Sequence, residues 1–266
     1  FLYYEYHYSM QTGDIMSNYK RNRDFLKDSL RKTINFSRSD QSRGIPNPPV
    51  EKRVPPDSVR INLATREEWS KAIPKKDVVS AIAVRKSRRS FNSAYLTIEE
   101  ISFLLWATQG IREPEKGIAH FRTVPSAGAR HSFETYVFVH RVEKIPQGLY
   151  RFLPLSNELV LVYEFDSRME TLLSGASLGQ KFVATSAATF VWTTIPYRME
   201  WRYLEAAHRV ILLDAGHVCQ NLYLACESIG AGTCAIAAYD QAAMDELLQV
   251  DGEDEFTVYL APVGKI

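Results

Sequence analysis

The sequence predicts an α+β fold. Three observations carry that expectation. Helical and strand-like patterns interleave from Lys75 onward, a capping-box pattern stands at Thr97-Ile98-Glu99-Glu100, and a long helical run from about Tyr203 to Ile229 stops at Gly230.

The elements follow in order. Residues 1–45 are polar and basic after an aromatic start, FLYYEYHYSMQTGD. A helix around Asn22–Ile34 would place Phe25, Leu26, Leu30 and Ile34 on one side. The stretch from Gly44 to Pro56 is Pro-rich, and proline biases its own and the preceding residue to extended forms, so it reads as a connector. Residues 1–57 are therefore expected to be an extension and connector, and residues 58–266 the folded domain. Asp77 can cap a short helix over Val78–Arg85. The Thr97 box opens a helix with Ile101, Leu104, Leu105 and Thr108 on one side, ended by Gly110. Strands are expected at Thr135–His140, Gly148–Phe152, Leu159–Glu164, Thr189–Thr194 and Phe256–Val263. The run Tyr203–Ile229 is apolar on more than one face and carries Ala215 and Gly216 at its middle. Such a helix is central or lies at a subunit interface.

Composition limits the function classes. Lys and Arg number 32 against 31 Asp and Glu, a balance that gives no reason to expect nucleic acid or a membrane surface. No run of 18 apolar residues exists, so no membrane span is expected. The start lacks the ordered regions of a secretory signal. Cys219, Cys226 and Cys234 are odd in number and widely spaced, which argues against disulfides and zinc. They read as small buried hydrophobes in a cytoplasmic protein, and no metal site is expected.

Four segments can carry chemistry. Arg85-Lys86-Ser87-Arg88-Arg89-Ser90-Phe91 sets four cations beside two hydroxyls, a donor set that suits a mononucleotide phosphate, although a solvated basic turn has the same composition. Pro125-Ser126-Ala127-Gly128-Ala129-Arg130-His131 is a loop whose small residues allow close approach of a flat ligand. Gly230 opens a run of small residues through Ala238 that could turn main-chain N–H groups toward a ring, or could be a tightly packed strand. Trp201-Arg202-Tyr203 leads into the long helix, where His208 and His217 read as structural. No Gly-rich dinucleotide fingerprint, phosphate-binding Lys loop or Ser nucleophile elbow is present.

In this order, the segments resemble the nitroreductase superfamily, and specifically its SagB-type dehydrogenase branch. The resemblance rests on Arg85, Ser87 and Arg89, on VPSAGARHSFETYVFV, on GLYRF, on HRVILLDAGHVCQNLYLACESIGAG, and on DGEDEFTVYLAPVGK. It covers roughly residues 75–265. It implies a central, mostly antiparallel sheet flanked by helices, and FMN held at the interface of a homodimer. The implied phosphate and ribityl ligands are Arg85, Lys86, Ser87 and Arg89. The implied contacts from the partner subunit are Pro125, Ser126, Ala127 and Gly128. The ring would be covered by Ala235, Ile236, Ala237 and Ala238, with Lys265 reaching the phosphate. Ala235 and Ala237 stand where relatives often have Pro and Gly.

Peptide-modifying members carry a Lys-Tyr pair implicated in azoline oxidation. Here the pair is Arg202 and Tyr203, the implied catalytic residues. An arginine stays protonated and cannot serve as the base that a lysine could. The implied activity is oxidoreduction through FMN, with NAD(P)H as an electron donor and a small molecule or peptide as substrate: an azoline, a nitroaromatic or a quinone. The rival reading is a flavin-binding or scaffold subunit of a peptide-modification complex without turnover of its own.

Overall fold

The computed structural model describes residues 12–112 and 121–266. The aromatic start, residues 1–11, lies outside them. Among the described residues, seven strands form one sheet: β1 Arg60–Asn62, β2 Phe133–Val139, β3 Gly148–Leu153, β4 Glu158–Glu164, β5 Ala188–Thr194, β6 Ala231–Thr233 and β7 Phe256–Lys265. Their order is β1-β4-β3-β2-β5-β7-β6, and every ladder is antiparallel. The helices are α1 Thr12–Phe25, α2 Arg66–Ala72, α3 Val78–Val84, α4 Ile98–Gln109, α5 Met169–Ala176, α6 Lys181–Ala184, α7 Tyr197–Tyr203, α8 Ala207–Ser228 and α9 Gln241–Leu248. The expected α+β fold with an antiparallel sheet is present.

The sheet is covered on both sides. Every residue of β2 is buried, which is why its sequence does not alternate apolar with polar. Phe133, Val137 and Val139 pack with α4 and α8, whereas Tyr136 and Phe138 pack with α5, α6 and α9. Local sequence sets the helix starts. The Asp77 side chain accepts the Ser80 N–H, and Thr97 and Glu100 form the reciprocal capping box. Ile101, Leu104, Leu105 and Thr108 are all buried on α4. The three cysteines are free and buried; burial pushes the Cys219 thiol up to about 12.

Two helices differ from expectation. The helix expected around Asn22–Ile34 is instead α1, ending at Phe25, followed by a 3-10 turn at Asp28–Lys32. Phe25, Leu26 and Leu30 are exposed, so no burial supports a continuous helix there. The run expected from Tyr203 to Ile229 is broken. Leu204 adopts φ +50° and ψ −137°, residues 204–206 form a 3-10 turn, and α8 begins at Ala207. No Pro or Gly marks the break, so periodicity gives no sign of it. The break frees α7 to turn Trp201 onto the N-terminal segment, where its indole donates to the Ile45 carbonyl at 3.0 Å.

The Pro-rich stretch is extended, and buried side chains hold its backbone. Arg151 donates to the Lys52 and Arg53 carbonyls at 2.9 and 3.1 Å, and Arg122 donates to the Val50 carbonyl at 2.9 Å. Glu134 accepts the Lys52 N–H at 2.8 Å. Among the described residues, no helix is long and apolar enough to cross a membrane.

Candidate functional site

The basic cluster begins where α3 ends. Arg85 is the C-cap, and the chain then runs extended beside β6, with the Arg88 N–H donating to the Thr233 carbonyl at 2.9 Å. This pairing lays the first candidate segment against the third. A Cβ on Gly232 would lie 2.8 Å from the Arg88 side chain, so only glycine lets the two strands of backbone meet there. None of Arg85, Lys86, Arg88 and Arg89 forms an ion pair among the described residues. The Arg88 Nε is buried and has no partner among the described residues.

Tyr223, on α8, joins the segments. Its hydroxyl bonds the Ser87 hydroxyl at 2.8 Å and accepts the Ala235 N–H at 2.8 Å. The Arg85 guanidinium lies over its ring, 5.2 Å from the centroid. No local pattern marks Tyr223, which sits inside a largely apolar helix. A buried phenol needs a partner for its hydroxyl, and that requirement was the available signal.

The expectation for residues 235–238 needs correction. The Ala235 N–H is taken by Tyr223, and the Ile236 N–H donates to the Leu260 carbonyl at 2.8 Å, with the Ile236 side chain buried in the core. Only Ala237 and Ala238 stay exposed. Two of the four amides are therefore closed to a ring, because the short strand β6 leaves the sheet and re-pairs at Ile236. Lys265 is also engaged: its Nζ pairs with Glu100 and donates to the Ile229 carbonyl. In this arrangement it stands apart from the free cations.

The second cluster forms around the Pro-Ser loop. Gly128 has φ +58°, and a Cβ there would lie 2.6 Å from the Tyr203 hydroxyl and 3.2 Å from Arg202. Glycine is thus what lets the loop touch the candidate catalytic pair. Arg202 lies over the Tyr203 ring at 5.4 Å. Asp214 on α8 accepts the Ala127 N–H at 3.3 Å. Burial raises the Asp214 carboxyl above its ordinary value, against the lowering effect of the Ser126 hydroxyl. His208 bonds Glu200 at 2.8 Å and is half-exposed, in keeping with a structural role.

The anchors of the two clusters stand at different levels of α8. Asp214 and Tyr223 are nine residues apart on α8, a rise of about 13 Å and a rotation of about half a turn beyond two full turns. Leu212, Leu213 and Gly216 of α8 are exposed.

The Nitroreductase family pattern matches residues 82–265. A protein of Methanocaldococcus jannaschii described as a nitroreductase is 32% identical over 209 residues, 79% of this chain and 98% of that protein. Two crystal structures described as nitroreductases share the fold. That from Ralstonia eutropha has a TM-score of 0.62 at 24% identity, covering 83% of this chain and 98% of the other. That from Anabaena variabilis has a TM-score of 0.64 at 22% identity, covering 79% of this chain but only 42% of the other. A chain of the E. coli microcin synthetase McbBCD complex, solved with truncated pro-MccB17 bound, has a TM-score of 0.57 at 19% identity, covering 77% and 84%. The solved structures show the fold alone. The family match spans both clusters, from the basic turn to β7, and with the archaeal relative it shows that this chain is a member of the nitroreductase family of oxidoreductases.

Proposed function

We propose that the chain is an FMN-dependent oxidoreductase of the SagB-type dehydrogenase kind, active as a homodimer. The observation that carries this reading is the Tyr223 hydroxyl, which ties Ser87 to the Ala235 amide and so assembles two distant candidate cofactor segments. The donor set fits the group. Four cations without ion-pair partners, the orphaned Arg88 Nε and a serine hydroxyl match the charge and acceptors of a phosphate. When bound, FMN supplies the hydride or electron transfer, and the protein binds, orients and tunes it.

Each residue then has a task. Arg85, Lys86 and Arg89 hold the phosphate and ribityl chain with Ser87. Ser126 and Gly128 contribute from the second protomer, since Asp214 and Tyr223, which anchor the two clusters on α8, are separated by a rise of about 13 Å. Tyr203 holds a proton near the substrate, and Arg202 supplies fixed positive charge. The substrate is an azoline peptide, a nitroaromatic or a quinone, and NAD(P)H is the donor. A yellow preparation that releases FMN on heating, and bleaches with NAD(P)H, is the expected result. Release of FAD, or no uptake of added FMN, would overturn the flavin reading and favour a scaffold subunit.

Tyr223→Phe provides a sharper test. It removes one hydroxyl and leaves the Ala235 N–H unmet, so the two segments lose their tie. Hydrogen bonds of this kind contribute about 1 kcal/mol each, and FMN affinity should fall about tenfold in flavin-fluorescence titration. Unchanged affinity would show that the tie does not serve the cofactor.

A further inference from the structure

The segment from Asp40 to Asn47 grips α7. The Gln41 N–H donates to the Trp201 carbonyl at 3.0 Å, the Trp201 indole donates to the Ile45 carbonyl at 3.0 Å, and the Tyr197 hydroxyl donates to an Asp40 carboxylate oxygen at 2.8 Å. The same segment reaches the Pro-Ser loop. Arg130, only 8% exposed, donates to the Asn47 side-chain oxygen at 2.6 Å, and its guanidinium lies over the Trp201 ring, 4.9 Å from the centroid. Arg130 is thus held between α7 and Asn47. All of these grips come from outside the stretch 82–265 that matches the family pattern.

The loop is one that needs holding. Ala129 and His131, on either side of Arg130, have φ of +54° and +46°, and Gly128 has +58°. Left-handed backbone is costly for a residue with a Cβ and persists where the surroundings enforce it. The contacts of Arg130 act in the middle of this run. Their consequence falls on Tyr203. Trp201 and Tyr203 share the last turn of α7, and the Tyr203 hydroxyl lies against Gly128, where an added Cβ would be 2.6 Å away. Burial and then the Arg202 charge lower the Arg130 pKa, and Tyr203 opposes them, so the three groups act on one another. The spacing of loop and phenol follows from where each is held, and the segment 40–47 holds both.

We propose that this segment is a positioning element of the site, with Asn47 as the positioning residue that, through Arg130, sets the Pro-Ser loop against the Tyr203 hydroxyl. That Tyr203 serves a reaction rests on the oxidoreductase reading above. That Asn47 places it rests on these contacts alone.

Fluorine NMR of the protein labelled with 3-fluorotyrosine tests the placement without flavin. Tyr203→Phe assigns the Tyr203 signal by its loss. Asn47→Leu, at a half-buried position, keeps the volume and removes the acceptor; it should shift that signal. Asn47→Asp, which keeps an oxygen acceptor, should return it toward the wild-type position. Tyr197→Phe, exposed and lacking only the grip on Asp40, should shift it in Asn47 wild-type protein. An unmoved signal in Asn47→Leu, or a shift that Asn47→Asp leaves in place, would overturn the positioning role. In the FMN-loaded protein, with NADPH and p-benzoquinone as probes, Asn47→Leu should lower kcat about tenfold and leave KM nearly unchanged, with recovery in Asn47→Asp. A signal that moves and recovers beside an unchanged kcat would uphold the placement and remove Tyr203 from the reaction.

Discussion

Replacement of Glu134 by glutamine is expected to destabilise the fold by about 3–5 kcal/mol, the usual cost of removing one partner from a buried ion pair. Glu134 is 3% exposed on β2. One carboxylate oxygen accepts from Arg198 at 2.6 Å and from the Lys52 N–H at 2.8 Å; the other accepts from Arg151 at 2.9 Å. Glutamine keeps the shape but leaves two buried arginines without their countercharge. It also loosens the Lys52 backbone, so the N-terminal segment should become sensitive to protease before the core unfolds. Urea unfolding would measure the first effect and limited proteolysis the second. A variant with the wild-type midpoint would show that Arg151 and Arg198 find compensation elsewhere.

The pH dependence has a definite sign. Burial by itself raises the Glu134 carboxyl pKa, but the charges and hydrogen bonds of Arg198 and Arg151 outweigh it and hold it below the ordinary value of 4.5. A carboxylate depressed in the folded state stabilises the fold above 4.5 and loses that contribution as pH falls through its folded value. Glu134→Gln should therefore lose stability near neutrality and flatten the acid side of the profile.

Substitution of Gly216 by leucine is expected to abolish the proposed dimer and, with it, the proposed FMN binding. Two effects of opposite sign make this decisive. In the single chain, a Cβ at Gly216 meets nothing within 4 Å among the described residues, so leucine has room. It is also a better helix former by about 0.5–1 kcal/mol, so an isolated protomer should be unharmed or slightly stabilised. In the proposed dimer, Gly216 lies on the exposed apolar stripe with Leu212 and Leu213, where close approach of a second α8 leaves no room for a larger side chain. Sedimentation and flavin absorbance report the two losses together. A dimeric, yellow Gly216→Leu protein would place the interface elsewhere, and a wild-type monomer holding full FMN would refute the shared site.

Much of this molecule is legible in its sequence because local rules act over a few residues. Asp77 and Thr97 start helices by bonding amides three positions away, and those caps stand where the pattern placed them. The strands Gly148–Leu153 and Ala188–Thr194 follow from runs of β-forming residues long enough to span a sheet. The basic turn, the Pro-Ser loop and the small-residue run were visible as motifs, and their order pointed to the family. Tertiary structure alone decided how these motifs meet. The break at Leu204 has no local marker, and the turn there accompanies the contact of Trp201 with the segment at Ile45, far away in sequence. The Tyr223 hydroxyl joins residues 136 and 12 positions away, a partnership that only the path of the chain creates. The amides of Ala235 and Ile236 looked open to a ligand and are closed by partners that lie far off in sequence or across the sheet. Whether a donor or a cation stays free depends on what the rest of the chain brings beside it, and burial forces such partners together across distances that local sequence does not encode.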